Sequence, residues 1–156
     1  MPTTTNLGLT YVTPFDPAYV DLWGTPLNTA IIAFDKQALR EYVIACSDET
    51  TALTTGTAKV TFRAPHALTI TAVRASVTTA PTGSVLTVDI NESGTSILST
   101  KLTIDATEET STTAAAAAVI SDASIASDAK ITIDIDTVGS TIAGAGLKVT
   151  LIGYIT

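Results

Sequence analysis

The side chains that could do chemistry are few, and most lie on two short stretches. Asp89 and Asn91, followed by Glu92, alternate with Val88 and Ile90, and Asp134 and Asp136 alternate with Ile133 and Ile135. Residues two apart on a strand point to one side, so each stretch would gather its polar groups opposite its apolar ones. Were the two strands neighbours, their oxygens could collect a calcium ion or serve as the paired carboxylates of a glycoside hydrolase. The plainer expectation is a solvated strand face, and no metal or other cofactor is expected.

Other devices lack parts. A Ser-His-Asp or Cys-His arrangement would have to be built on His66, the only histidine, which follows Pro65 and has no G-x-S-x-G-type nucleophile setting anywhere in the chain. It reads as a surface or loop-stabilising residue. One histidine and one cysteine are too few for zinc. Cys46 has no internal disulfide partner and reads as a small buried apolar residue. The glycines of Gly139-Ser140-Thr141-Ile142-Ala143-Gly144-Ala145-Gly146 precede neither a lysine nor a helical pattern that could receive a phosphate, so they read as a flexible hairpin loop. No enzyme is expected.

Composition says which elements must position these groups. Aromatic residues are 5% and charged residues 15% of the chain, with Thr, Ala, Ile and Val dominant, which favours short β-branched strands over helices. The net charge of −7 comes with scattered Lys and Arg, so no basic patch forms and no nucleic-acid partner is expected. No apolar run is long enough to span a bilayer, and the Thr-rich start lacks the basic and apolar regions of a signal peptide. The expectation is a chain made in a cytoplasm, without membrane insertion, whose partners are proteins or sugars.

Residues 1–40 and 41–156 differ in pattern. Up to Tyr19 the chain carries Pro2, Pro14 and Pro17 with isolated apolar residues at Leu7, Leu9, Tyr11, Val12 and Phe15. Such an arm cannot offset its own ordering entropy and is expected to dock on another chain. Thr25-Pro26 is a helix start, a preferred N-cap followed by proline at the first helical position, and the helix is predicted to run to about Arg40. Leu27, Ile31, Phe34 and Ala38 form a narrow seam along it, suited either to the β-domain or to the same helix of other subunits. Trp23, beside Gly24, reads as a structural anchor.

From Glu41 onward the pattern is β. Strands are predicted at 42–46, 59–64, from Leu68 through Val77, at 86–90, 98–104, 131–136 and 147–155; Ala114–Ala118 reads as part of a loop or a small edge strand leading to Val119-Ile120, and 121–129 as a turn region. The change of parity at Thr71-Ala72 implies a bulge or bend. Asn91-Glu92-Ser93-Gly94 supplies a hairpin-like turn, and Ile152 and Tyr154 fall on the outer face of the last strand as a contact surface. Seven or eight strands with turns about every ten residues predict a jelly-roll-like antiparallel β-sandwich, preceded by an extended arm and one α-helix.

The opening Asn6-Leu7-Gly8-Leu9, the central Asp21-Leu22-Trp23-Gly24-Thr25-Pro26-Leu27-Asn28 and the closing Phe34-Asp35 resemble the start of bacteriophage tail-fibre proteins. The stretches Thr57-Ala58-Lys59-Val60-Thr61-Phe62-Arg63-Ala64-Pro65 and Val88-Asp89-Ile90-Asn91 are similar to a β-domain of phage fibre or decoration proteins. The resemblance implies a homotrimer in the virion, joined through its N-terminal segment to a tail, collar or capsid protein. Leu7, Leu9, Trp23 and Leu27 would then be attachment or trimer residues, with Tyr11, Phe15, Ile31 and Phe34 beside them. The family's long shaft and distal tip have no counterpart in these residues, so a short fibre, adaptor or decoration protein is implied. A module recognising host surface glycan is the alternative.

Overall fold

The computed structural model describes Ile31 and residues 39–156. Eleven strands follow in order: β1 (Arg40–Ala45), β2 (Gly56–Arg63), β3 (Leu68–Ser76), β4 (Leu86–Glu92), β5 (Thr95–Ser96), β6 (Leu98–Thr100), β7 (Leu102–Ile104), β8 (Val119–Ile120), β9 (Ser124–Ile125), β10 (Lys130–Thr137) and β11 (Lys148–Ile155). Of the helix predicted over 26–40, the described residues include Ile31, which is helical, and Leu39 and Arg40, which are not. Its predicted last residue, Arg40, instead opens β1.

One sheet has the order β1-β11-β3-β9 and the other β2-β10-β4, whose far edge pairs with β5 and β7; β6 and β8 form a separate ribbon. Every pairing is antiparallel. The long strands β1, β2, β3 and β4 fall alternately in the two sheets, and β10 and β11 insert between them. This interleaving is that of a jelly-roll β-sandwich.

The core is written by alternation. Leu86, Val88 and Ile90 on β4 and Ile131, Ile133 and Ile135 on β10 are at most 1% exposed, and they face Leu68, Ile70, Val149 and Leu151 of the other sheet's buried set. Each such side chain removed from water stabilises the fold by about 1.5–3 kcal/mol. Among the described residues only half-buried Tyr42 and Phe62 bring aromatic rings to this layer. Cys46 is buried at its edge.

The parity change at Thr71 is a bulge. Ile152 pairs with Ala72 and Gly153 with Ile70, leaving Thr71 as the extra residue, and its hydroxyl donates to the Ile152 carbonyl at 3.2 Å. The strand bends without leaving its sheet. Gly153 is glycine because a Cβ there would collide with the Thr69 carbonyl oxygen. The turn after β4 is tighter than the sequence suggests: Asn91 and Glu92 stay in the strand, and Ser93 and Gly94, both at positive φ, make a two-residue hairpin.

Three local differences separate pattern from structure. The segment predicted as one strand over 98–104 is broken into β6, which pairs with β8, and β7, which pairs with the edge of β4. The region 121–129, predicted as turn, contains β9, whose Ile125 is buried. The glycine-rich loop is pinned rather than free, since Thr78 N–H donates to Ala145 O at 2.9 Å and Thr82 N–H to Ile142 O at 2.9 Å.

Gly153→Val is expected to lower stability by about 2 kcal/mol or more, because the obstructing atom is backbone and cannot rotate away. Thermal unfolding followed by circular dichroism checks it; an unchanged midpoint would mean that the bulge absorbs the side chain.

Candidate functional site

The two acidic stretches are neighbours. β4 and β10 pair with Asp89 opposite Asp134 and Asn91 opposite Thr132, so the condition for a shared carboxylate cluster is met. The face they form is only partly solvated: Asp89 and Asn91 are 5% and 8% exposed, with Ser96 and Lys101 against Asp89, whereas Asp134 is half-buried and Asp136 exposed. A buried carboxylate must be compensated, and the compensation is supplied from within the chain.

Lys101, at the break between β6 and β7, places Nζ 3.0 Å from Asp89 Oδ2 and 2.5 Å from Asp136 Oδ2. Asp89 Oδ1 accepts from Ser96 Oγ at 2.6 Å and from the Ile90 amide at 2.9 Å. Asp134 accepts from the Ala58 amide on one oxygen at 2.6 Å and from the Asn91 side-chain amide on the other at 3.1 Å. Glu92 accepts from the Ala126 amide at 2.8 Å. Hydrogen bonds from the lysine to Asp136 and then Asp89 raise the Lys101 pKa above its ordinary value. The ammonium therefore occupies the position that a cation between these carboxylates would take, and among the described residues no group of three or more His, Cys, Asp or Glu is arranged to hold a metal. The cluster is a fastening for β4, β7 and β10.

Lys101 escaped the pattern reading, in which the strand predicted over 98–104 simply sets Ser99, Lys101 and Thr103 on the side opposite Leu98, Leu102 and Ile104. Its one available signal was that a lone cation separates two buried leucine-type positions, Leu98 and Leu102, in a segment otherwise uncharged.

The remaining candidates are dispersed. His66 is exposed in the turn between β2 and β3. The Cys46 thiol is pushed up to about 11 by burial, which keeps it protonated and unreactive near neutral pH. Ile152 and Tyr154 do lie on the outer face of their sheet, half-buried. The β1–β11 register places Glu41 against Ile152 and Val43 against Thr150, and continued by one step it sets Leu39 beside Tyr154. Leu39 and Val43 are 51% and 65% exposed, so the apolar outer face is wider than the last strand alone indicated. Leu7, Leu9, Tyr11, Phe15, Trp23, Leu27 and Phe34 lie outside the described residues; Ile31 is half-buried.

Comparison of the chain with protein-family models, curated proteins and solved structures finds no match.

Lys101→Met is expected to cost about 2 kcal/mol, less than a fully buried pair because the lysine side chain is 45% exposed. Asp136→Asn should cost under about 1 kcal/mol, since that carboxylate is 31% exposed and leaves Asp89 still paired. Urea unfolding of both variants checks the order; equal losses would show that Asp89 does not depend on the lysine.

The pH profile has two limbs. Asp48 is held down at about 2 by the Thr51 and Thr50 amides, and Glu49 is lowered by its hydrogen bond from Lys148. Unfolding returns both to their ordinary 3.8 and 4.5, so the stability they add is present above those values and is lost as the pH falls toward about 2. Lys101, raised above 10.5, adds stability that is full below that value and lost as the pH climbs through the raised one. Unfolding midpoints measured from pH 2 to 12 should therefore fall at both ends, and Lys101→Met should flatten the alkaline limb.

Proposed function

We propose that the chain is a bacteriophage virion structural protein, a short trimeric fibre. Its N-terminal arm and helix attach it to a tail, collar or capsid protein, and its jelly-roll domain is displayed outward. The motif of the first 35 residues, with its Trp23-Gly24 pair and Leu27-Asn28, supplies the class. The observation that supports it most is where the domain begins.

β1 follows directly on that segment and forms the outer edge of its sheet. Leu39 and Val43 are exposed on this same rim, next to Ile152 and Tyr154. A contact made by the N-terminal segment, or by a second subunit arriving along it, would cover apolar surface at about 25 cal/mol per Å² without disturbing the core. The acidic, Thr-rich remainder keeps many copies soluble around such an assembly. In this reading the chain carries no catalytic activity of its own.

Light scattering on the full chain and on a chain starting at Leu39 tests the reading. A mass of three times 16.0 kDa that falls to one on truncation is the expected result. A trimer that survives truncation would move the subunit contact to the Leu39, Val43, Ile152 and Tyr154 face, and a monomeric full chain would overturn the trimeric fibre.

A further inference from the structure

The loop between β1 and β2, with the start of β2 and the end of β10, walls a cleft of about 210 Å³. That is the liquid volume of roughly seven waters, enough for one sugar ring. Leu53 and Ile135, 4% and 1% exposed, line it, while Asp48, Thr51, Thr54 and Lys59 belong to its exposed part. The wall is fixed before any ligand arrives. Asp48 Oδ1 accepts from the Thr50 and Thr51 amides at 2.9 and 2.6 Å, and the Leu53 amide donates to Gly144 O at 2.9 Å.

Lys59 reaches this cleft through a distortion. Val60 pairs with Ile133 and Gly56 with Ile135, so β2 spends two more residues than β10 between those points. Within the bulge Ala58 takes φ +49°, a left-handed conformation disfavoured for alanine. The Asp134 carboxylate holds it there through the Ala58 amide. Bulges re-aim side chains, and residues held at positive φ without being glycine gather at functional sites. Here the re-aimed residue is Lys59. Its stem lies over Gly56, where a Cβ would be 3.1 Å from Lys59 Cδ, and its Nζ donates to Thr54 Oγ1 at 2.7 Å.

The charges in the cleft are unequally compensated. Asp48 is surrounded by donors, two amides and the Thr50 hydroxyl. Lys59, like Arg40, Arg74 and Lys130, has no carboxylate within 4.0 Å among the described residues, and in the cleft its ammonium meets only a neutral hydroxyl. The complement the cleft lacks is an anionic group carried on a hydroxyl-rich, partly apolar body.

We propose that the cleft binds a carboxylated monosaccharide of the uronic acid class. Its carboxylate pairs with Lys59 Nζ and its hydroxyls bond Thr51, Thr54 and Asp48, with the exposed Ala52 methyl beside the ring. This site is independent of the structural role proposed above and would stand if that role failed.

The test is titration of the full chain with glucuronate, and separately with glucose, followed by amide chemical shifts. Glucuronate is expected to give saturable shifts in residues 48–59, with glucose weaker by about tenfold or more for want of the charge-assisted contact. Lys59→Met, an exposed position whose change should leave the spectrum elsewhere intact, is expected to lose about tenfold in glucuronate affinity. Thr54→Val, which keeps the charge but frees the ammonium from its hydroxyl, should lose less. The proposal is overturned if neither sugar moves these residues, if both bind alike, or if Lys59→Met binds glucuronate as the parent does.

Discussion

Two rows of branched side chains set the terms for the whole molecule: Leu86, Val88 and Ile90 on β4, and Ile131, Ile133 and Ile135 on β10, all removed from water. Side chains alternate strictly along a strand, so burying these six commits Asp89, Asn91, Asp134 and Asp136 to the opposite side. There Ser96 and Lys101 of the β5–β7 segment meet Asp89, and Lys101 also reaches Asp136. Polar groups that would have been harmless in water then have to be satisfied one by one, and Lys101, Ser96 and the Ala58 amide do so. The outer network is thus a consequence of the inner core.

The same linkage runs on to the loops. Asp134 fixes the bulge in β2, and the bulge in turn displaces Lys59 toward the loop between β1 and β2. That loop is tied to the one between β10 and β11, which is tied to the one between β3 and β4; the long loop after β7 joins through Thr107 N–H to Pro81 O at 2.7 Å. One end of the sandwich is therefore a braced platform in which a change at one loop has backbone partners in the next. Surfaces of this kind hold a preset shape, which lowers the ordering cost of binding.

Faces were legible in the sequence and neighbours were not. Ile131, Ile133 and Ile135 against Thr132, Asp134 and Asp136 announce a strand and its inner side, and the parity change at Thr71 announces the bulge, because both are local properties of a period-two pattern. Nothing local says that Asp89 will sit opposite Asp134, since pairing between residues 45 positions apart is decided by the fold. Lys101 was missed for that reason: its partners lie 12 and 35 residues away. Ser124-Ile125 was missed because two residues show no period at all. The double bulge at 57–59 left no mark, as Ala58 is an ordinary residue in an extraordinary conformation whose cause is Asp134.

The strand order also bears on how the protein is made. β10 lies between β2 and β4, and β11 lies between β1 and β3, so the centre of each sheet is contributed by residues near 130–155. A ribosome that has delivered everything up to Ala129 has released β4 with its partners β5 and β7 and β3 with its partner β9, but not the strands that join β2 and β1 to them. The nascent domain must wait, its branched apolar rows uncovered, until its final segment emerges; pairing at such sequence separation is also slow. Low aromatic content and a strong negative charge limit the stickiness of the waiting chain, so the composition that shapes the folded surface also protects the protein during synthesis.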